Sequence, residues 1–143
     1  MAVVLWFLSL AVAAPIAARA GGLAEVLSIL GLIAGYDAAA YVVGTGAGNH
    51  WEGPAAGVAT VLAGGLAVAA LADPPFTLLT TALLVLIVCV AGPAGPSLVR
   101  WLTPPLAEDE EAGAREAPAV RRLSTFLAAG PALLVLLAVI RLL

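Results

Sequence analysis

Long apolar runs, broken by short clusters of Gly, Pro and charged residues, dominate the chain. A helix needs about 20 mostly apolar residues to cross the hydrocarbon core of a bilayer. Five runs reach or approach that length, at residues 2–18, 23–43, 54–72, 76–95 and 123–143. Arg19 and Gly21-Gly22 end the first, Gly44-Thr45-Gly46 the second and Asp73-Pro74-Pro75 the third. Pro93 and Pro96 loosen the end of the fourth, because proline lacks the N–H that an interior helix position donates. The pattern predicts an all-α, polytopic membrane protein of about five transmembrane helices, forming one transmembrane domain over residues 1–143. The one long polar connection, 103–120, is expected as a solvated loop around Glu108-Asp109-Glu110-Glu111, Arg115 and Glu116.

Composition reinforces this picture. The 143 residues are 63% hydrophobic and 10% charged, against about 25% charged in an ordinary soluble domain. A soluble chain this short buries only about 60–70% of the surface its unfolded form exposes, so the bilayer must cover the rest. The formal net charge is −3, with acids concentrated in one connection, which argues against nucleic acid as a partner. All six basic residues are Arg; with abundant Ala, Gly and Pro this looks like the bias of a GC-rich genome and carries no functional weight. Cys89 is the single cysteine, so no internal disulfide exists; in an apolar run it reads as a small packed or lipid-facing side chain. Ala17-Ala18-Arg19-Ala20 loosely resembles a signal-peptide cleavage site, but no basic residue precedes Arg19. The first segment is therefore expected as a retained helix.

Arginine placement sets the expected orientation, since basic residues favour the cytoplasmic side. Arg100, Arg115, Arg121 and Arg122 flank the connection between the fourth and fifth segments, whereas Arg19 and Arg141 stand alone. That connection is expected to be cytoplasmic. Parity then places the N-terminus inside, the C-terminus outside, and residues 44–53 on the cytoplasmic face too. The expected location is the inner (plasma) membrane, with membrane lipid as a partner and a second membrane protein or a further copy of the chain as another.

Asp37 is the strongest candidate for chemistry. It sits in an apolar run, where an ionisable group costs about 2.5–3.5 kcal/mol and normally faces a cavity or a partner. It also lies only about two turns from the helix end, so it either serves such a partner or reaches interfacial water. In residues 44–53, Gly44, Gly46 and Gly48 would let backbone N–H groups approach an anion, although a tight interhelical turn also calls for glycine. His50 and Glu52 have the chemistry of acid–base groups or metal ligands, but no second His or paired carboxylate lies nearby. Trp51 reads as an interfacial anchor. Arg121 and Arg122 either grip a phosphate or an anionic headgroup or serve as topogenic charges. Gly57, Gly64 and Gly65 read as helix-packing positions.

Several of these residues together resemble the phosphatidate cytidylyltransferase (CDP-diacylglycerol synthase) family. Asp37-Ala38-Ala39-Ala40-Tyr41-Val42-Val43-Gly44, then Gly48, then Trp51-Glu52-Gly53, is similar to that family's Asp-x-x-Ala-Tyr-x-x-Gly-Arg stretch and its following aromatic-Glu-Gly. Gly92-Pro93-Ala94-Gly95-Pro96-Ser97-Leu98-Val99-Arg100 falls where the family has Gly-Asp-Leu-x-x-Ser-x-x-Lys-Arg. Val120-Arg121-Arg122-Leu123-Ser124 falls where it has Leu-Asp-Arg-Ile-Asp. Order and spacing agree from about Gly22 onward, so the chain resembles a shortened C-terminal half. Asp37, Tyr41, Gly44, Glu52, Gly53, Ser97 and Arg122 occupy matching positions. The resemblance makes Asp37 and Glu52 the catalytic candidates and Tyr41, Gly44, Gly53, Ser97 and Arg122 the substrate-binding ones.

The departures bear on activity. Pro93 replaces the aspartate of the Gly-Asp pair, Arg121 and Ser124 replace both aspartates of Asp-Arg-x-Asp, Thr45 replaces the arginine after the glycine, and the Ser-Pro-x-Lys-Thr segment is missing. Nucleotidyl transfer from CTP needs a divalent metal held by carboxylates. The expectation is thus a catalytically degenerate relative without a cofactor, acting as a membrane subunit or a phospholipid-binding protein. One alternative is an active CTP-dependent transferase of phospholipid synthesis, in which Asp37 and Glu52 hold Mg2+. Another is a small transporter or channel component with Asp37 on an ion path.

Overall fold

The structure is a computed structural model that describes the backbone at residues 2–71, 76–102 and 110–142, and side chains at 5–71, 76–101 and 123–142. Five helices follow one another: α1 (Ala2–Ala18), α2 (Leu23–Gly44), α3 (Glu52–Leu71), α4 (Leu78–Leu102) and α5 (Glu110–Leu142). No strand occurs among the described residues. Four stretches are long and apolar enough to cross a membrane, namely Leu23–Gly44, Glu52–Leu71, Leu78–Trp101 and Leu123–Leu142, and a shorter apolar stretch, Leu5–Gly21, runs from α1 through the 3-10 turn Arg19–Gly21 that follows it. The chain is a polytopic, membrane-embedded helical protein. Its outer surface agrees: Val42, Leu62, Leu66, Leu79, Leu86 and Val135 are exposed all around the bundle, a distribution that only lipid tolerates.

Two boundaries differ from the sequence-based expectation. α4 does not stop at Gly95 but continues through Pro93 and Pro96 to Leu102. Membrane helices tolerate proline because neighbouring helices can satisfy the freed backbone groups, and α5 packs along this stretch. The segment expected as a loop at 103–120 is helical from Glu110 onward, while residues 103–109 lie outside the described residues. At 33 residues, α5 runs about 50 Å, well beyond a hydrocarbon core of about 30 Å. Its polar first third therefore extends past the apolar span Leu123–Leu142.

The helices pack chiefly as neighbours, α2 on α3, α3 on α4, α4 on α5 and α5 on α1, with α2 also touching α4, α5 and α1 to close the bundle. Each helix turns one stripe inward. On α2 it is Ile29, Leu32, Ile33 and Tyr36, the i, i+3, i+4, i+7 spacing of one helix face. On α3 it is Gly53, Gly57, Val61 and Gly65, on α4 Leu84, Val88 and Ala91, and on α5 Ala129, Leu133, Leu136 and Leu137. α1 contributes Ala11, Ala14 and Ala18; a methyl group on Gly130 of α5 would lie 2.5 Å from the Ala11 Cα, so the two backbones nearly touch.

The helices alternate in direction, so the turn between α2 and α3 lies on the same face as the end of α4 and the start of α5. On the opposite face, Gly22 takes the positive φ of 113° that turns the chain from α1 into α2. There Arg141 of α5 donates from Nη2 to the carbonyl of Ala17, tying the last turn of α5 to the end of α1, within electrostatic reach of the buried Glu25.

Candidate functional site

Asp37 sits in α2, about 10 Å of helix from the end at Gly44, at ~1.5 Å per residue. It is half-buried and meets α5: the Thr125 hydroxyl donates to Asp37 Oδ1 at 2.6 Å. A threonine inside an apolar helix usually bonds a carbonyl of its own preceding turn. Here it reaches across to another helix, so one bond shields a carboxylate and a hydroxyl from lipid together. Thr125 is buried, and so is Ser124 beside it, which has a partner of its own.

Tyr36, next to Asp37, fixes the geometry around this bond. Only 4% of it is exposed, and its ring lies between two glycines. A methyl group on Gly57 of α3 would come within 2.6 Å of Tyr36 Cε2, and one on Gly92 of α4 would overlap the ring at Cζ. Three residues along α4, a methyl group on Gly95 would lie 2.7 Å from the carbonyl carbon of Ser124. Gly92 thus admits Tyr36 and Gly95 admits the α5 backbone, both on one face of α4. Together these contacts set the depth and rotation at which Thr125 meets Asp37.

The residues singled out by sequence are distributed unevenly about this point. Gly44 and Gly53 come together: Gly53 is buried, and a methyl group on it would lie 2.7 Å from the Ala40 carbonyl oxygen and 3.2 Å from Gly44 Cα. Their role in the structure is close packing of α2 on α3. Tyr41 is 60% exposed, and Glu52, in the first turn of α3, is exposed too. An acid in that position favours the helix N-terminus. The helix register sets Ala40 opposite Gly53 and Tyr36 opposite Gly57, so Glu52 stands about one turn nearer the membrane face than Asp37. Ser97 is exposed on α4. The side chains of Arg121, Arg122 and the acidic run lie outside the described residues.

The glycine-rich turn also has its own local explanation. Thr45 N–H bonds the Tyr41 carbonyl at 3.0 Å, Glu52 N–H bonds the Asn49 carbonyl at 3.2 Å, and Trp51 N–H bonds Asn49 Oδ1 at 3.3 Å. His50 lies against Trp51, ring centres 5.2 Å apart.

The metal that a cytidylyltransferase needs does not fit this arrangement. One oxygen of Asp37 is engaged by Thr125, and Glu52 stands a turn away on an exposed position. Among the described residues no group of three His, Cys, Asp or Glu side chains is placed to hold a metal ion. Sequence reading missed Thr125 and Tyr36. The available signal was Ser124-Thr125, two adjacent hydroxyls in an otherwise apolar run. No protein-family model, curated protein or solved structure matches this chain.

Proposed function

We propose that this chain is a non-catalytic membrane protein on a phosphatidate cytidylyltransferase-like framework, acting in the inner (plasma) membrane as a membrane subunit or a phospholipid-binding protein. The Thr125–Asp37 hydrogen bond is the observation that carries this reading. In nucleotidyl transfer the carboxylate would have to turn toward a metal and a triphosphate beside other acids. Here it faces a neutral hydroxyl on α5 and joins two helices instead. Exposed Glu52, about one turn from Asp37, supports the same reading. The orientation that goes with it places the α2–α3 turn and the start of α5 in the cytoplasm, as the Arg distribution favours.

The test is turnover. Purified protein in lipid nanodiscs is incubated with phosphatidic acid, magnesium and labelled CTP, beside the Asp37→Asn variant. No labelled CDP-lipid is expected from either. Product made by the wild type and lost in Asp37→Asn would overturn the non-catalytic reading.

A further inference from the structure

Two polar side chains near the face opposite the α2–α3 turn are buried without a hydrogen bond. Glu25, in the first turn of α2, and Thr81 of α4 are each only 3% exposed. The Glu25 carboxylate hydrogen-bonds none of the described residues, and the Thr81 hydroxyl has no partner among them. Buried charges are normally paired, and buried hydroxyls normally bonded.

The helix register sets the two at one depth. α2 and α4 run in the same direction, and Gly92 of α4 meets the Tyr36 ring of α2. Glu25 lies eleven residues before Tyr36, and Thr81 eleven before Gly92. Eleven residues make about three full turns, with a rotation of only about 20° left over. Each residue therefore shares the inward face that makes the Tyr36–Gly92 contact, at the same distance from it.

Glu25 is held on its other side as well. A methyl group on Gly21 would overlap its Oε2, so the carboxylate lies back over the turn between α1 and α2. There Arg141 of α5, bonded to the Ala17 carbonyl, attracts it, and the positive end of α2 favours an anion. A neutral carboxylic acid feels neither attraction. It gains an O–H donor instead and keeps an acceptor, which is what an unpaired hydroxyl in the interior calls for. Among the described residues the other charged group at this end is the exposed Arg19. α1, α3 and α4 present none there, and Asp73, between α3 and α4, lies outside the described residues.

We infer that Glu25 is a proton switch: ionised, its carboxylate stays with Arg141 at the start of α2, and on taking a proton from the aqueous phase it turns inward and pairs with the Thr81 hydroxyl. The site stands apart from Asp37 and does not depend on the non-catalytic reading; CDP-lipid formation would leave its test untouched.

The test is thermal unfolding of the full chain in lipid nanodiscs at about pH 8 and about pH 4, on either side of the ordinary glutamate range. At the higher pH, Thr81→Val should raise the unfolding temperature by about 3 °C and Arg141→Gln should lower it by as much. At the lower pH, Thr81→Val should lower it by about 3 °C and Arg141→Gln should have little effect. Glu25→Gln supplies a neutral donor and acceptor of the same shape. In that background Thr81→Val should be costly at both pH values.

An effect of Thr81→Val with one sign at both pH values would overturn the switch. So would a change of sign that survives Glu25→Gln, or one that disappears in Asp73→Asn, which would assign the proton to Asp73. Should Arg141→Gln fail to fold, the sign of Thr81→Val still decides.

Discussion

Two surfaces of the bundle are lined by small residues, and only one of them is closed. Where α2 meets α3 and α4, Gly57 and Gly92 stand opposite the Tyr36 ring, which fills the space they leave. Where α4 and α5 meet α1, Ala94, Ala128 and Ala132 border a groove of about 500 Å3 that no side chain fills. Small residues allow close approach in membranes, but they do not compel it. What stands opposite decides whether the gap becomes dispersion contact or remains open to lipid.

The sharpest way to break that contrast is to add bulk at the closed surface. Gly92→Leu should cost about 3 kcal/mol, the upper part of the usual range for overpacking, read as a fall in thermal unfolding temperature in mild detergent. Tyr36→Ala in the same chain should restore part of the loss. Strictly additive losses would mean that Gly92 and Tyr36 do not meet.

Next in size is the polar tie that the closed surface positions. Thr125→Val keeps the shape but strands the Asp37 carboxylate, and should cost ~2 kcal/mol, as for a buried group left unpaired. A double-mutant cycle with Asp37→Asn should show coupling of about 0.6–1.7 kcal/mol, between the average and the maximum measured for such bonds between membrane helices. Zero coupling would remove the bond from the account of the site.

A smaller effect, of opposite sign, is expected at Thr81 of α4, whose buried hydroxyl has no hydrogen-bond partner among the described residues. Thr81→Val should raise stability by up to ~1 kcal/mol, because an isosteric apolar group ends the cost of an unpaired donor. A loss would show that a water or another group serves that hydroxyl. Smallest of all, Ala94→Leu projects into the open groove and should stay within about 0.5 kcal/mol of the wild type. A penalty as large as that of Gly92→Leu would show that the two surfaces are equally closed.

Part of the site was legible in the chain alone. Asp37 stands out because a carboxylate in an apolar run is costly wherever it points. Thr125 does not stand out, since a threonine in a membrane helix can bond its own preceding turn, and nothing local says that it will reach elsewhere. Gly44 and Gly53 were conspicuous as glycines, yet the same residue type suits an anion cradle and a close helix crossing. The crossing is what the contact with Ala40 and Gly44 reveals. The extent of α4 was misjudged for a related reason. Pro93 and Pro96 are helix breakers in water, but not where neighbouring helices can answer for the missing donors.

Sequence by itself determined that this protein is a membrane-embedded bundle of about five helices, because the free energy of entering a bilayer is close to a sum over each run of about 20 residues. It also marked Asp37 as unusual, for the same additive reason. Tertiary structure alone decided that Asp37 meets Thr125 of α5, that Tyr36 lies between Gly57 and Gly92, and that the alanines of α4 and α5 border an open groove. Those outcomes depend on the rotation, depth and tilt of each helix against all its neighbours at once, and no single stretch of chain contains that information.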